Sequence, residues 1–144
     1  MKTADFATVF LRIALAAGFL SAVADRLGGW GPYGAPNVGW GDMAHFLPYV
    51  AQVNPWFPGS FIPAVAWAAN IAEIVLGVLL LVGWNTRLAA FWSGMLLCAF
   101  AVGMTAGPGV KSALNASVFA AAGGAFLLAT SGRYPFSVDE IGKT

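Results

Sequence analysis

Between Phe61 and Gly83 the only ionisable side chain is Glu73, in the middle of the stretch WAANIAEIVLGVLLLVGW. A carboxylate inside so apolar a run can exchange a proton, accept hydrogen bonds from a ligand, or fasten helices through a cation. Arg12 interrupts the first apolar run in the same way, and Asn70, three residues before Glu73, shares its helical face. Lys111 and Asn115, four apart, share a face near the start of the last apolar run; with Asp25, Arg26 and His45 they extend a polar path toward Glu73. This set is expected to line a ligand pocket. Arg12, Asn70, Lys111 and Asn115 are the candidate donors to a ligand carbonyl. Glu73 and His45, the latter with a reference pKa of ~6.5, are the candidate proton exchangers, and Glu73 is the one candidate catalytic group. Counted from the nearer membrane face, Arg12 and Glu73 lie about 9 and 15 Å deep at ~1.5 Å per residue, so an Arg12–Glu73 ion pair is expected. The competing reading makes that pair a helix fastener, Arg26 and Lys111 headgroup anchors, and His45 a solvated residue.

Four apolar segments must position these groups: residues 6–24, 61–83, 88–106 and 112–131. Each has 19 to 23 residues, and about 20 helical residues cross a ~30 Å hydrocarbon core. The chain is 59% hydrophobic and 9% charged, against roughly 25% charge in a soluble domain. The reading is an all-α integral membrane four-helix bundle forming a single domain over residues 1–144, with an outer loop at 25–60 and a tail at 132–144. The twelve Leu, Ile, Phe and Val residues of the second span supply about −4 to −7 kcal/mol of insertion energy, which outweighs about +3 for a central acid. The first span holds nine, a margin thin enough that Arg12 needs a partner or a route to the interface. Small residues four apart, such as Ala90 and Gly94 or Ala99 and Gly103, suit close helix packing.

The outer loop is rich in Gly, Pro and aromatic residues, and Trp30, Tyr33, Trp40, Tyr49 and Trp56 suit the headgroup level. Met43, Phe46, Leu47 and Val50 recur at helical spacing opposite Asp42, His45, Tyr49 and Gln52, which predicts a short interfacial helix bent at Pro48. In GWNTR, Gly83 stops one helix and Asn85 or Thr86 caps the next. Lys2, Arg87, Arg133 and Lys143 fall on one side of a four-span arrangement and Arg26 and Lys111 on the other. The positive-inside rule then puts both termini in the cytoplasm.

Several classes are set aside. A net charge of +1 without a basic stripe gives no nucleic-acid partner. One histidine and one cysteine, Cys98, allow no His/Cys metal cluster, haem pair or internal disulfide, and Cys98 reads as packing. The N-terminus mimics a secretory signal, with Ala22 and Ala24 at an A-x-A site, but is expected to be retained as a span. Asn115-Ala116-Ser117 reads as a chance glycosylation sequon inside a span.

Two stretches carry a resemblance. FLRIALAAGFLSAVADRLG resembles the first helix of the DoxX family, with Arg26-Leu27 standing where the family has a Lys-Leu pair. AEIVLGVLLLVGWNTRLAA is similar to its second helix, through Glu73, Gly77, Gly83 and Arg87. The resemblance implies a four-helix protein of the bacterial inner membrane, whose relatives are quinone-linked sulfur-oxidation subunits or members of membrane oxidoreductase complexes. The leading functional expectation is therefore a quinone- or lipid-binding subunit, at most an oxidoreductase subunit. Its cofactor would be a diffusible quinone with none intrinsic, and its partners membrane lipids, a redox protein and a second copy of the chain. A non-catalytic scaffold or assembly factor and a small-solute carrier are the alternatives.

Overall fold

The computed structural model describes residues 2–141. It is all-α, with no strand among the described residues. Helix α1 spans Thr3–Arg26, α2 Met43–Val53, α3 Ile62–Val82, α4 Thr86–Ala106, α5 Val110–Asn115, α6 Val118–Ala129 and α7 Val138–Ile141. Three helical stretches are long and apolar enough to cross a membrane: Thr3–Arg26, Gly59–Val82 and Thr86–Ala106. The protein is a membrane helical bundle.

Helix α3 shows the inside-out pattern that lipid demands. Ile71, Val75, Val78 and Leu81 are exposed, while Asn70, Glu73, Gly77 and Leu80 form the buried stripe. Polar groups point inward because the hydrocarbon core offers them no hydrogen bonds. A short turn of 3-10 helix at Gly59–Phe61 and an early Pro63 start α3. Gly83, left-handed at φ 72°, ends it as its sequence position predicts.

Glycines set the helix registers. A β-carbon at Gly77 would lie 2.9 Å from Leu20 and 3.4 Å from Phe19, so α1 and α3 approach closely there. One at Gly94 would lie 2.5 Å from the Phe126 ring, which seats α6 on α4. One at Gly103 would lie 2.6 Å from the Val53 carbonyl oxygen, which seats the end of α2 on α4.

The expected fourth span is not one helix. The chain breaks between α5 and α6, where Ser117 adopts a left-handed backbone at φ 54°. Ala116 and Ser117 donate back to Ser112 and Leu114, closing α5, and the Ser117 carbonyl accepts from Ala121 to start α6. Of the two pieces only α6 is a sizeable apolar helix, at 12 residues, and about 18 Å is too short to cross alone.

Helix α2 has the amphipathic faces the spacing predicts, with Phe46 and Val50 buried and Asp42, His45 and Gln52 exposed. It packs against α3 and α4. The Asp42 side chain accepts from the His45 backbone N–H at 2.8 Å and caps the helix. Asp25 fixes the loop before it by accepting from the backbones of Gly39 (3.1 Å) and Trp40 (2.9 Å). Trp40 then packs, with its ring tilted, against Phe46 and Tyr49.

The tail after α6 folds back under the α3–α4 turn. The Asp139 carboxylate accepts from the backbones of Asn85 and Thr86, each at 2.7 Å, and its own N–H donates to the Gly83 carbonyl at 3.0 Å. The predicted cap on α4 is thus supplied by the tail, and Asn85 makes no side-chain cap. Lys143 lies outside the described residues.

Candidate functional site

The polar centre is built by α1, α2 and α3. Glu73 is 2% exposed and Asn70 fully buried, one turn apart on α3. Arg26, the last residue of α1 and 9% exposed, donates through Nη1 to Asn70 Oδ1 at 2.8 Å and to Glu73 Oε2. Its Nη2 reaches Glu73 Oε1 at 3.4 Å. The guanidinium carbon sits 4.2 Å from the centre of the Phe46 ring, a cation–π contact. Asn70 Nδ2 donates to the Met43 sulfur at 3.2 Å. Helix α2 therefore closes over an ion pair rooted in α1 and α3.

This corrects the expected Arg12–Glu73 pair. Gly77 packs on Phe19 and Leu20, while Arg12 Nη1 lies against Gly83. With that antiparallel register Arg12 is level with Gly83, ten residues and ~15 Å along the axis from Glu73, whereas Arg26 is level with Asn70. Counting depth from presumed membrane edges could not show this, because the register is set by one glycine contact. Arg12, 3% exposed, instead donates from Nη2 to the Phe136 carbonyl at 2.6 Å. The tail supplies that one acceptor and the nearby Asp139 charge, while Arg12 Nε and Nη1 are buried without a hydrogen-bond partner. Arg26, placed on the polar path toward Glu73 and in the competing reading a headgroup anchor, is the partner that matters.

The remaining candidates fall away from the centre. Lys111 and Asn115 are exposed because the inward residue of α5 is Ala113, which lies on the opposite side of that short helix. The side chain of His45 faces outward, with Nδ1 2.8 Å from Asp42 and its ring stacked on Tyr33 at 3.7 Å. Asp25 holds the loop instead of joining a polar path. Of the polar set, Asn70, Glu73 and Arg26 meet. Sequence reasoning placed Arg26 on the polar path without pairing it to Glu73, and it missed Phe46, Met43 and Tyr49 as members of this centre; the apolar face of α2 carried the signal for the first two, and Tyr49 reads as a headgroup aromatic.

A cavity of about 500 Å³ opens beside the pair, walled by α2, α3, α4 and α6. Phe46, Tyr49, Val65, Leu97, Phe100 and Met104 line it with small Ala residues, and Arg26 and Glu73 are its only charged groups. Burial pushes the Tyr49 hydroxyl pKa up, partly offset by the Arg26 charge, so its proton stays on. Arg26 Nε is buried and has no partner. The pair cancels its own charge, so the wall presents hydrogen-bond donors without a net field.

Residues 4–110 match the family of the methylamine utilisation protein MauE. The chain belongs to the MauE family. The match runs from α1 to the first residue of α5, so Arg12, Arg26, His45, Asn70 and Glu73 lie within the MauE region and Asn115 beyond it. It overturns the DoxX resemblance. The features that carried the resemblance are packing features of any tight helical hairpin: Gly77 accommodates Leu20, and Gly83 is a left-handed stop crowded by Ser137 and Arg12. No curated protein and no solved structure matches this MauE-family chain.

Proposed function

We propose that this MauE-family chain is a membrane-embedded accessory subunit of an amine-utilising system, and that its cavity holds the headgroup of a neutral, lipid-phase ligand of quinone type. The observation that carries the reading is an arginine on the wall of an apolar cavity, with its charge cancelled by Glu73. A guanidinium neutralised in this way still carries N–H donors and suits a neutral carbonyl oxygen better than a charged group. An ammonium ion gains nothing there, because the carboxylate is already spent on Arg26. Methylamine is thus a poor occupant, and the carrier reading loses its proton site for the same reason. The scaffold reading loses support too, since Gly94 and Gly103 are consumed by contacts inside the chain.

The geometry supports binding over turnover, with a redox protein or a second copy of the chain as the partner that would use the ligand. The setting proposed is the bacterial inner membrane with both ends cytoplasmic. Arg26 belongs to the bundle core, so Lys111 alone opposes Lys2, Arg87 and Arg133, which sharpens the positive-inside bias.

The test is mass spectrometry of lipids retained in nanodiscs by wild type, Ala69→Phe and Arg12→Gln. Ala69 lines the cavity one helical turn before Glu73, and Arg12 is remote from the pair. A quinone or other carbonyl-bearing isoprenoid should be retained by wild type and Arg12→Gln and lost from Ala69→Phe. Equal retention in all three, or none in wild type, would remove the proposal.

A further inference from the structure

Glu73 lines a second cavity, of about 400 Å³, on the other side of the bundle. Its walls are Leu11, Ala14, Gly18 and Ala22 along one face of α1, with Phe100 of α4 and Ala121 of α6 opposite. Glu73, Leu97, Phe100 and Ala121 border both cavities. They lie between the two cavities, and the one charged group among them is a carboxylate already held by Arg26.

The break in the fourth span opens this cleft. Near the end that carries Thr3, α1 and α6 touch: a β-carbon at Gly124 would lie 3.1 Å from Leu11. Continuing that antiparallel register, Gly18 stands opposite Ser117 and Ala22 opposite Ala113. Helix α6 ends there, at the left-handed Ser117, and α5 turns onto α4. Among the described residues α5 does not pack against α1 as α6 does. Gly18 is exposed and has no heavy atom within 4 Å of where a β-carbon would stand, unlike the crowded Gly77, Gly94 and Gly103. A strained non-glycine backbone persists only where the surroundings over-determine it, and such outliers cluster at functional openings.

We infer that the cleft between α1 and the broken fourth span is the tail subsite of the ligand, joined to the headgroup cavity at Glu73 and open sideways to the bilayer. The inference rests on the headgroup reading above. Its occupant is the hydrocarbon tail of that same lipid-phase molecule, because the cleft walls are apolar but for Glu73 and share four residues with the cavity holding Arg26. The head enters from lipid past Gly18 and the tail stays in the cleft behind it.

The experiment uses two photoreactive isoprenoid quinone probes in nanodiscs, one with its diazirine next to the ring and one with it two isoprene units along the tail. Adducts are mapped by peptide mass spectrometry, with and without excess unlabelled quinone. Competable ring-probe adducts are expected on α2 and α3 between Phe46 and Ala69, and competable tail-probe adducts on Ala14–Ala22 and Ala121. Gly18→Phe, which fills the cleft, should cut tail adducts there severalfold. Gly123→Phe, on a part of α6 that lines neither cavity, serves as the control for folding and should leave them in place. Tail adducts on Ala68, Leu96 and Ala99 would overturn the inference alone, because the tail would then leave through the mouth of the main cavity. Unchanged cleft labelling in Gly18→Phe would do the same. Absence of competable ring adducts would overturn the headgroup reading, and the cleft would lose its occupant with it.

Discussion

Removing either member of the Arg26–Glu73 pair tests the centre most directly. Arg26 is 9% exposed and Glu73 2%, so Glu73→Gln strands a guanidinium that keeps only Asn70 and the Phe46 ring. Breaking a buried pair from one side costs about 3–5 kcal/mol in soluble proteins. In a membrane the unfolded chain finds other partners for its polar groups, and measured hydrogen-bond couplings average ~0.6 and reach ~1.7 kcal/mol, with an ion pair at or above the top of that range. We expect a coupling of about 2 kcal/mol between Arg26→Gln and Glu73→Gln, roughly a 30-fold change in the unfolding equilibrium. The Arg12→Gln and Glu73→Gln changes should add within ~0.5 kcal/mol, because sites about 15 Å apart with no shared partner are independent. Reversible unfolding in mixed micelles, followed by Trp fluorescence for all single and double variants, measures both cycles. A coupling under ~0.5 kcal/mol for Arg26 and Glu73, or a larger one for Arg12 and Glu73, would refute the pairing and the helix register from which it follows.

Asp139→Ala removes the acceptor for the Asn85 and Thr86 amides and should cost about 1–2 kcal/mol; limited proteolysis should then clip the tail first. Gly103→Val drives a side chain against the Val53 carbonyl and should destabilise by about 1–3 kcal/mol. By contrast Gly18→Ala, in open space, should leave the melting temperature unchanged or raise it by the ~0.5–1 kcal/mol that alanine gains over glycine within a helix. The Asp42 carboxyl pKa is held below its ordinary value by hydrogen bonds from the His45 backbone and ring. Its contribution to the α2 cap is therefore full above the unfolded value of ~3.9 and is lost as pH falls through the lower folded value. Hydrogen exchange at the His45 amide should accelerate on that acid side in wild type, and Asp42→Asn should abolish the step.

Much of the fold could be read from where charges are missing. The spans inferred at 61–83 and 88–106 end within two residues of α3 and α4, because membrane length and the Gly83 stop are local signals. The break at Ser117 was hidden because no proline or glycine marks it; only the short polar Asn115 and Ser117 hint at it. Glu73 and Asn70 were legible as a polar centre because a lone acid in an apolar helix needs a reason. Its partner was not legible, since whether Arg12 or Arg26 meets Glu73 depends on a register fixed by Gly77 against Leu20. Arg26 also lies just past the first apolar run, where a basic residue resembles an anchor. The role of Asp139 needed a contact across 53 positions, beyond any local pattern.

That long contact also has a consequence in time. Helices α3 and α4 form a hairpin joined by Gly83, Trp84 and Asn85, yet the two amides that open α4 find their acceptor only when Asp139 arrives. At ~5–20 residues per second of synthesis, the 53 positions between Thr86 and Asp139 take roughly 3–10 s. During that interval the inserted hairpin carries an unlatched end and Arg12 lacks the Phe136 carbonyl. Translation of the last described residues is what locks the bundle, so a ribosome stalled after α6 would leave three membrane helices inserted but unfastened, the form a membrane quality-control protease is placed to remove.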